Sequence, residues 1–113
     1  AQARKRWIMG ALAISGQVHV DAGAVRALLD GKSLLPIGVT KVTGEFARGD
    51  AVTVLDPDGR EIARGLVSLD REEADLVKGK KSRATGEILG LGARAELVHR
   101  DNLVVLVGAE AKA

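Results

Sequence analysis

Two short segments contain the residue types of a phosphate-binding loop. Gly31-Lys32-Ser33 and Gly79-Lys80-Lys81-Ser82 each place lysine between a glycine and a hydroxyl residue, and such a lysine and hydroxyl can meet phosphates and magnesium. The motif also needs a glycine five residues before the second one, and those positions hold Arg26 and Ala74. Both segments also follow a predicted helix, whereas a phosphate loop follows a strand. The sequence therefore does not predict a nucleotide site at either segment.

The remaining polar residues do not indicate a hydrolytic site or a metal site. Ser33, His99 and Asp101 can be combined into a nucleophilic triad on paper, but no nucleophile elbow surrounds the serine. His19 and His99 are the only histidines, and without cysteine or an HxxxH spacing they do not indicate a zinc site. Gly90-Leu91-Gly92 lacks the strand, third glycine and acidic partner of a dinucleotide fingerprint, so we interpret it as a loop.

Charged residues concentrate in two clusters in the second half of the chain. The acidic cluster lacks the glycine and the alternation of a calcium loop and is typical of a solvated helix face: Asp70, Glu72, Glu73 and Asp75. The basic cluster is typical of a solvated surface, although such runs also neutralise phosphates: Lys78, Lys80, Lys81 and Arg83. Arg48-Gly49-Asp50 spells a cell-adhesion tripeptide, but its place between two predicted strands indicates a turn.

Composition narrows the classes of function further. The 113 residues include Lys+Arg 17 and Asp+Glu 15, and the resulting net charge of +2 is too small to demand a nucleic-acid or membrane partner. The lack of cysteine excludes disulfides, zinc fingers and thiol nucleophiles. Trp7 and Phe46 are the only aromatic residues, too few for an RNA reader that depends on stacking.

Residues 1–16 are predicted to form a basic linker and an entering strand. Arg4-Lys5-Arg6 and the apolar run 7–14 have the ingredients of a secretory signal, but Gly10 interrupts a run that barely reaches the minimum length. No stretch approaches the roughly 20 apolar residues of a membrane span, so we expect no membrane partner. Residues 17–107 are expected to form one domain, and residues 108–113 a flexible tail.

Residues 17–39, which must position the first half of these polar residues, are predicted to begin with a strand and a helix. Gln17-Val18-His19-Val20 alternates polar and apolar side chains and predicts a half-buried strand. Asp21 is predicted to cap a short helix that ends at Gly31 in a left-handed conformation. Its apolar residues form two i,i+4 pairs on one face: Ala24, Val25, Leu28 and Leu29. Pro36 and Gly38 predict an extended, kinked backbone between residues 33 and 39.

The middle and the end of the chain alternate between strand and helix patterns. Apolar residues in short segments between residues 39 and 67, separated by turns at residues 47–50 and 56–59, predict three antiparallel strands in a meander. Residues 70–78 are acidic early and basic late, which predicts a second helix, and residues 82–89 predict a third. Residues 96–98 and 103–107 are the last predicted strands. These elements indicate a small, mostly β, barrel-like domain with helices packed on its ends.

Four motifs in a fixed order carry a resemblance to a known family. The first two are Val20-Asp21-x-Gly23-Ala24-x-x-Ala27-Leu28 and Gly31-x-Ser33-Leu34-Leu35-Pro36-x-Gly38-Val39. The others are Gly44-x-Phe46-x-Arg48-Gly49-Asp50-x-Val52 and Ile62-Ala63-x-Gly65. They resemble the signature of PUA domains, small β-barrels found in RNA-modifying enzymes. The resemblance implies a mainly β fold with short α-helices, a PUA-type small mixed-strand pseudo-barrel.

The flanks of these motifs narrow the resemblance. Residues 4–8, 87–90 and 99–104 look like the C-terminal PUA domain of bacterial glutamate 5-kinases. The resemblance implies a cytoplasmic parent, a homo-oligomer, that phosphorylates the side-chain carboxylate of glutamate with ATP and Mg²⁺ on the route to proline. In that family an N-terminal amino-acid-kinase domain holds the ATP and glutamate sites. That domain is the expected partner, and this chain is expected to carry no catalytic, cofactor or metal residues and to be inactive alone.

The resemblance also implies a candidate surface. RNA-binding PUA domains contact RNA around the first helix, the following glycine-proline segment and the last strand. On this sequence that surface comprises Arg26, Lys32, Ser33, Leu35, Pro36, Gly38, Lys41 and Arg100. Two hypotheses stay open, a regulatory or assembly appendage of the parent kinase and an RNA-binding module. The nearly balanced charge favours the first, and RNA binding would be weak and sensitive to salt.

Overall fold

The computed structural model describes residue 8, residues 13–90 and residues 96–106. Residues 13–90 and 96–106 form five strands and three α-helices: β1 (Ile14–Val20), α1 (Ala22–Leu29), β2 (Val39–Gly44), β3 (Ala51–Leu55), β4 (Glu61–Leu66), α2 (Arg71–Val77), α3 (Ser82–Leu89) and β5 (Leu103–Val105). Single-turn 3₁₀ helices lie at Pro36–Gly38 and Arg100–Asn102. Most of the signal-like segment, apart from the buried, helical Ile8 and residues 13 and 14, lies outside the described residues, as do most of Gly90-Leu91-Gly92, position 107 and the predicted tail.

The five strands form one mixed sheet in the order β2-β1-β3-β4-β5. β1 is antiparallel to β2 and parallel to β3, and Val18 lies opposite Val42 on one side and Val54 on the other. The prediction of a meander was therefore wrong for β2 and β3, because β1 lies between them. β1 carries fully buried valines, and a position inside the sheet pairs both of its backbone edges. The mixed sheet with short helices confirms the predicted fold class.

Three predicted segments differ in detail from the structure. Residues 33–39 were predicted to form an extended, kinked backbone, and the structure has a single 3₁₀ turn that begins at Pro36, since proline fixes a φ angle that suits the first position of a helix. Residues 96–98 form no continuous strand, and Val98 makes a single antiparallel bridge with Leu34. The last strand, predicted at residues 103–107, comprises Leu103–Val105, and Leu106 follows it without strand structure.

The hydrophobic core lies around β3, the middle strand of the sheet. All five of its residues are buried, as expected for an apolar strand that is covered on both faces. β1 adds Val18 and Val20, α1 adds the buried Leu28, α2 adds Ala74 and Val77, and α3 packs its partly buried Leu89 against the core. Each helix is thus attached through a narrow apolar face, and most of its surface stays available for other contacts.

Candidate functional site

The end of α1 positions Lys32, the central cation of the predicted surface. Gly31 adopts a φ of 81°, the left-handed conformation predicted for it. The N–H of Gly31 donates to the carbonyl of Leu28 at 3.0 Å, and the N–H of Lys32 donates to the carbonyl of Ala27 at 3.0 Å. These two bonds form a Schellman motif, which ends the helix and fixes the direction of the following segment. Lys32 is therefore held beside the helix it follows.

The start of α1 is joined to the 3₁₀ turn that precedes β2. Asp21 caps α1, as predicted, because its Oδ1 accepts a hydrogen bond of 2.8 Å from the N–H of Ala24. The N–H of Asp21 donates to the carbonyl of Gly38 at 2.9 Å. A Cβ at Gly38 would lie 2.5 Å from the Cβ of Ala24, so only glycine allows the turn to pack this closely on the helix. The predicted close backbone approach at Gly38 is thus an approach to α1.

The segment between α1 and the 3₁₀ turn is also tied to the end of the chain. Ser33 Oγ accepts a hydrogen bond of 2.8 Å from the N–H of Arg100. Leu34 exchanges backbone bonds with the Leu97–Val98 segment, donating to the Val98 carbonyl at 2.9 Å. These contacts bring Arg100 next to Lys32, 68 positions earlier in the chain, and both residues line one depression of about 260 Å³ beside β5.

A groove of about 340 Å³ lies between α1 and the segment that follows it. We call it the α1 groove. One wall comes from α1 and its cap, and the other from the segment that leads into the 3₁₀ turn: Asp21, Gly23, Ala24 and Ala27 face Lys32, Ser33, Leu34, Leu35, Ile37 and Gly38. A shallower depression of about 550 Å³ shares Gly23, Ala27 and Lys32 with it and adds Arg26, Leu29 and Asp30. Lys32 lines all three depressions.

The structure brings together most of the predicted surface residues, with two exceptions. Arg26, Lys32 and Arg100 flank adjoining depressions, and Ser33, Leu35 and Gly38 line the α1 groove itself. Pro36 is buried, and its carbonyl accepts a bond of 2.7 Å from the N–H of Gly79, so it is a support of the groove. Lys41 lies on the edge strand β2 opposite His19 and lines none of these depressions. The residues' role in binding stays a prediction.

Sequence reasoning placed Leu35 on the candidate surface but missed two other exposed aliphatic residues around the groove, Leu29 and Ile37. Ile37 is 47% exposed and Leu35 38% exposed at the rim, and Leu29 on α1 is 49% exposed. The i,i+4 pattern placed Leu29 on the same apolar face as Leu28, but only Leu28 is buried. Residues 28–37 contain more apolar residues than the core can bury, and this excess was the signal in the sequence. The pattern alone does not show which of these residues are buried and which are exposed.

Several charged residues of the sequence motifs outside the groove have partners within the fold. Arg48 donates to both carboxylate oxygens of Glu73, through Nε at 3.0 Å and through Nη2. Glu73 also completes a capping box with Asp70 at the start of α2. The side chain of Asp50 accepts from the N–H of Ala47 at 2.9 Å, so Arg48-Gly49-Asp50 is a closed turn, as predicted. The hydrogen bond from Arg48 holds the pKa of Glu73 below its ordinary value.

The turn between β3 and β4 contains a second self-contained cluster. Asp56 is buried, and its Oδ1 accepts hydrogen bonds of 2.9 Å from the N–H groups of Asp58 and Arg60. The bond from the Arg60 backbone is the main reason that the pKa of Asp56 is lowered. We refer to Arg48, Asp56, Arg60, Asp70 and Glu73 together as the turn cluster.

The remaining motifs of the sequence take structural roles. His99 Nδ1 accepts from the N–H of Asp101 at 3.0 Å and caps the second 3₁₀ helix. Ser33 Oγ is held by Arg100, and no hydrogen bond joins Ser33 to His99 within residues 13–90 and 96–106. Lys78 pairs with Asp75. In the part of the chain that the structure describes, there is no group of three or more metal-binding side chains, and no helix has the length and hydropathy of a membrane span.

A mixed five-stranded sheet with a capped first helix and a glycine-proline turn packed on it defines a class of small domain. The PUA domain family matches residues 16–89, and the chain belongs to this family. A PUA domain from Aeropyrum pernix, solved as a tartrate complex, is 31% identical, with a TM-score of 0.54 over 76% of this chain and 43% of the other. A chain of an H/ACA RNP bound to a substrate RNA is 25% identical, with a TM-score of 0.50 over 52% of this chain and 19% of the other.

Among curated proteins, the chain is similar to glutamate 5-kinases. The enzyme of Rhizobium rhizogenes strain K84 is 57% identical over 111 residues, which is 98% of this chain and 28% of that protein. The enzyme of Rhodopseudomonas palustris strain HaA2 is 58% identical over 91% of this chain and 27% of that protein. The chain therefore spans little more than a quarter of the length of these relatives, and it corresponds to their C-terminal region.

Proposed function

We propose that the chain is the C-terminal PUA domain of a glutamate 5-kinase and acts there as a regulatory or assembly appendage. The parent would transfer a phosphoryl group from ATP to L-glutamate and form glutamyl 5-phosphate, the first step of proline biosynthesis. The observation that carries the proposal is the 57% identity over 98% of the chain, which extends beyond the matched PUA residues 16–89 at both ends. The proposed parent is cytoplasmic and homo-oligomeric.

We place ATP, Mg²⁺ and glutamate in an N-terminal amino-acid-kinase domain of the parent, so that this chain alone has no kinase activity. The lysine- and glycine-containing segments support this placement. Gly31-Lys32-Ser33 ends α1, and its serine hydroxyl is held by Arg100. Gly79-Lys80-Lys81-Ser82 connects α2 to α3, and the N–H of Gly79 donates to Pro36. Neither segment follows a strand as a phosphate loop does.

The test is removal of this domain from the full-length protein. The truncated protein should keep ATP-dependent phosphorylation of glutamate but differ from the intact protein in oligomeric state, in its kinetic constants or in its inhibition by proline. Steady-state kinetics with and without proline, together with light scattering, measure these properties. If all three are unchanged, the domain has no regulatory or assembly role. If the intact protein does not phosphorylate glutamate, the assignment of the parent is wrong.

A second candidate function is RNA binding, which a specific arrangement supports. Arg26, Lys32 and Arg100 border adjoining depressions, and Lys32 and Arg100 approach each other from distant parts of the chain. The H/ACA RNP that contains the similar chain is bound to a substrate RNA. Cations in such a group can neutralise phosphates, and the backbone beside Gly31 is open, with no atom within 4 Å of a Cβ built there.

Titration of labelled bulk tRNA across a series of salt concentrations tests this candidate. An RNA module predicts saturable binding whose affinity falls linearly with salt on logarithmic scales. Lys32→Ala and Arg26→Ala should each lower the slope by about one phosphate contact, whereas Lys80→Ala, a change in the exposed loop before α3, serves as a control. A flat anisotropy at low salt would exclude the RNA function.

A further inference from the structure

The α1 groove is an apolar, concave part of the surface in the described residues. Its floor contains the small side chains of Ala24 and Ala27, and its rim carries Leu35 and Ile37, which are 38% and 47% exposed. Single exposed aliphatic residues are common on protein surfaces, but a group of them around a concave apolar groove indicates a contact site.

The apolar surface continues across α1. Leu29 is 49% exposed on the far side of the helix and lines the depression that shares Gly23, Ala27 and Lys32 with the groove. Gly23 and Ala27 leave the helix backbone accessible between the two depressions. Three exposed aliphatic side chains thus surround one helix of eight residues, and that surface is broad enough for an extended segment or a helix end to lie on it.

The charges around this surface are balanced. Arg26 and Lys32 contribute two positive charges to the α1 groove and the depression beside it, and Asp21 and Asp30 contribute two negative charges. Lys32 Nζ lies 3.7 Å from Asp30 Oδ2. A surface that binds a phosphate backbone carries an excess of positive charge, whereas a protein segment with aliphatic side chains and mixed charges fits a balanced one.

The groove is held open by backbone bonds on both sides. Asp21 joins the helix to Gly38, Leu34 joins the facing wall to Val98, and Pro36 is held by Gly79, at distances of 2.9, 2.9 and 2.7 Å. A binding surface that is already in its final shape loses little conformational entropy when a partner docks.

We propose that the α1 groove is the docking site for the polypeptide that precedes this domain in the full-length protein. The proposal rests on the proposed function, since the relatives contain almost three quarters of their length outside the matched region. A small groove buries far less than the roughly 1,600 Å² of a standard interface between separate proteins. A partner in the same chain is present at an effective concentration in the millimolar range, so a small contact suffices.

Thiol labelling of the full-length protein tests the proposal. This chain contains no cysteine, so Leu35→Cys and Ile37→Cys each introduce one reporter, and Leu76→Cys and Ile88→Cys are controls at aliphatic residues that are 59% and 43% exposed outside the groove. Alkylation rates are read by peptide mass spectrometry and divided by the rates in denaturant. We expect the groove thiols to react about tenfold more slowly than the controls, as for a groove open in about one molecule in ten.

The outcomes separate the possible occupants. Protection that is unchanged on dilution and after ribonuclease treatment supports docking within the chain. Protection that falls on dilution identifies a second copy of the protein, and protection lost with ribonuclease identifies RNA, and either result overturns the proposal. Equal rates at groove and control positions also overturn it, but they leave the effect of removing the domain, which tests the proposed function, to be decided independently.

Discussion

The turn cluster and the α1 groove use similar residues in opposite ways. In the turn cluster Arg48 reaches Glu73, and the carboxylate of Asp56 accepts two backbone bonds and one of 3.3 Å from Arg60 Nε. Around the groove, Arg26 and Arg100 make no side-chain ion pair within the described residues, and Lys32 makes one exposed pair with Asp30. The charged groups of the turn cluster bind one another and the backbone, whereas the groove presents its charges and aliphatic side chains to solvent.

This difference separates surface residues that stabilise the fold from surface residues that are available for binding. A charged side chain with two or more internal hydrogen bonds loses them if it turns toward a ligand, so it is a poor binding residue. A side chain without such partners can bind at no cost to the fold. The backbone beneath the groove is nevertheless as well bonded as the turn cluster, because Asp21, Leu34 and Gly38 connect its walls. Predictions can therefore separate the groove's foundation from its surface.

The largest effect is expected at the foundation of α1. Leu28 is 1% exposed and is the only fully buried side chain of the helix, whereas its neighbour Leu29 is 49% exposed. Leu28→Ala should lower the free energy of unfolding by about 2–5 kcal/mol, because it leaves a cavity under the helix. Leu29→Ala is the matched control and should change it by less than about 0.5 kcal/mol. Urea unfolding measures both, and equal losses would show that both leucines support the fold.

The contact between the 3₁₀ turn and α1 is expected to give the next largest effect. Gly38→Ala would place a Cβ 2.5 Å from that of Ala24, with no flexible side chain to move away. We expect a loss of about 1–3 kcal/mol in the free energy of unfolding.

Gly86→Ala provides the control, since a Cβ in the middle of α3 would meet nothing within 4 Å. It should stabilise the protein by about 1 kcal/mol through helix propensity. A neutral Gly38→Ala would mean that the turn can move off the helix, and the groove would then not be the rigid surface described above.

Local signals in the sequence were sufficient to predict several helix ends and turns. The cap at Asp21, the stop at Gly31 and the turn at residues 47–50 each depend on residues within four positions, and all three are confirmed. The position of β1 between β2 and β3 depends on contacts between residues more than twenty positions apart, and the predicted meander was wrong there. The exposure of Leu29 and Ile37 depends on how α1 lies on the sheet, which periodicity does not contain.

The stabilising role of the turn cluster can be tested by measuring the free energy of unfolding as a function of pH. Hydrogen bonds from Arg60 and Arg48 lower the pKa values of Asp56 and Glu73 from ordinary values of 3.8 and 4.5. Because the folded pKa is the lower one, the stabilisation is complete above the ordinary values and is lost as the pH falls through the folded values. The free energy of unfolding should therefore decline below about pH 4.5.

The double variant Asp56→Asn/Glu73→Gln is the control for this titration. It should be less stable than the parent near neutral pH and should show a flatter decline in acid, since the two groups no longer titrate. Asp56 is buried and Glu73 is half-buried, but each variant side chain has nearly the size of the original and leaves no cavity, so we expect a smaller effect than for Leu28→Ala. An unchanged acid slope in urea unfolding would assign the decline to other carboxylates, among them Asp75, whose pKa is lowered by Lys78.

The smallest effect on stability is expected at the cations of the groove. Lys32 is 70% exposed and meets only the carboxylate of Asp30 at 3.7 Å, so Lys32→Ala should change the free energy of unfolding by less than about 0.5 kcal/mol. Arg48→Ala should cost more, because it leaves the half-buried Glu73 without its main donor. Thermal unfolding of the two variants side by side compares them directly. If Lys32→Ala were the more damaging change, its ammonium would be part of the fold, and the separation between a structural turn cluster and an available groove would fail.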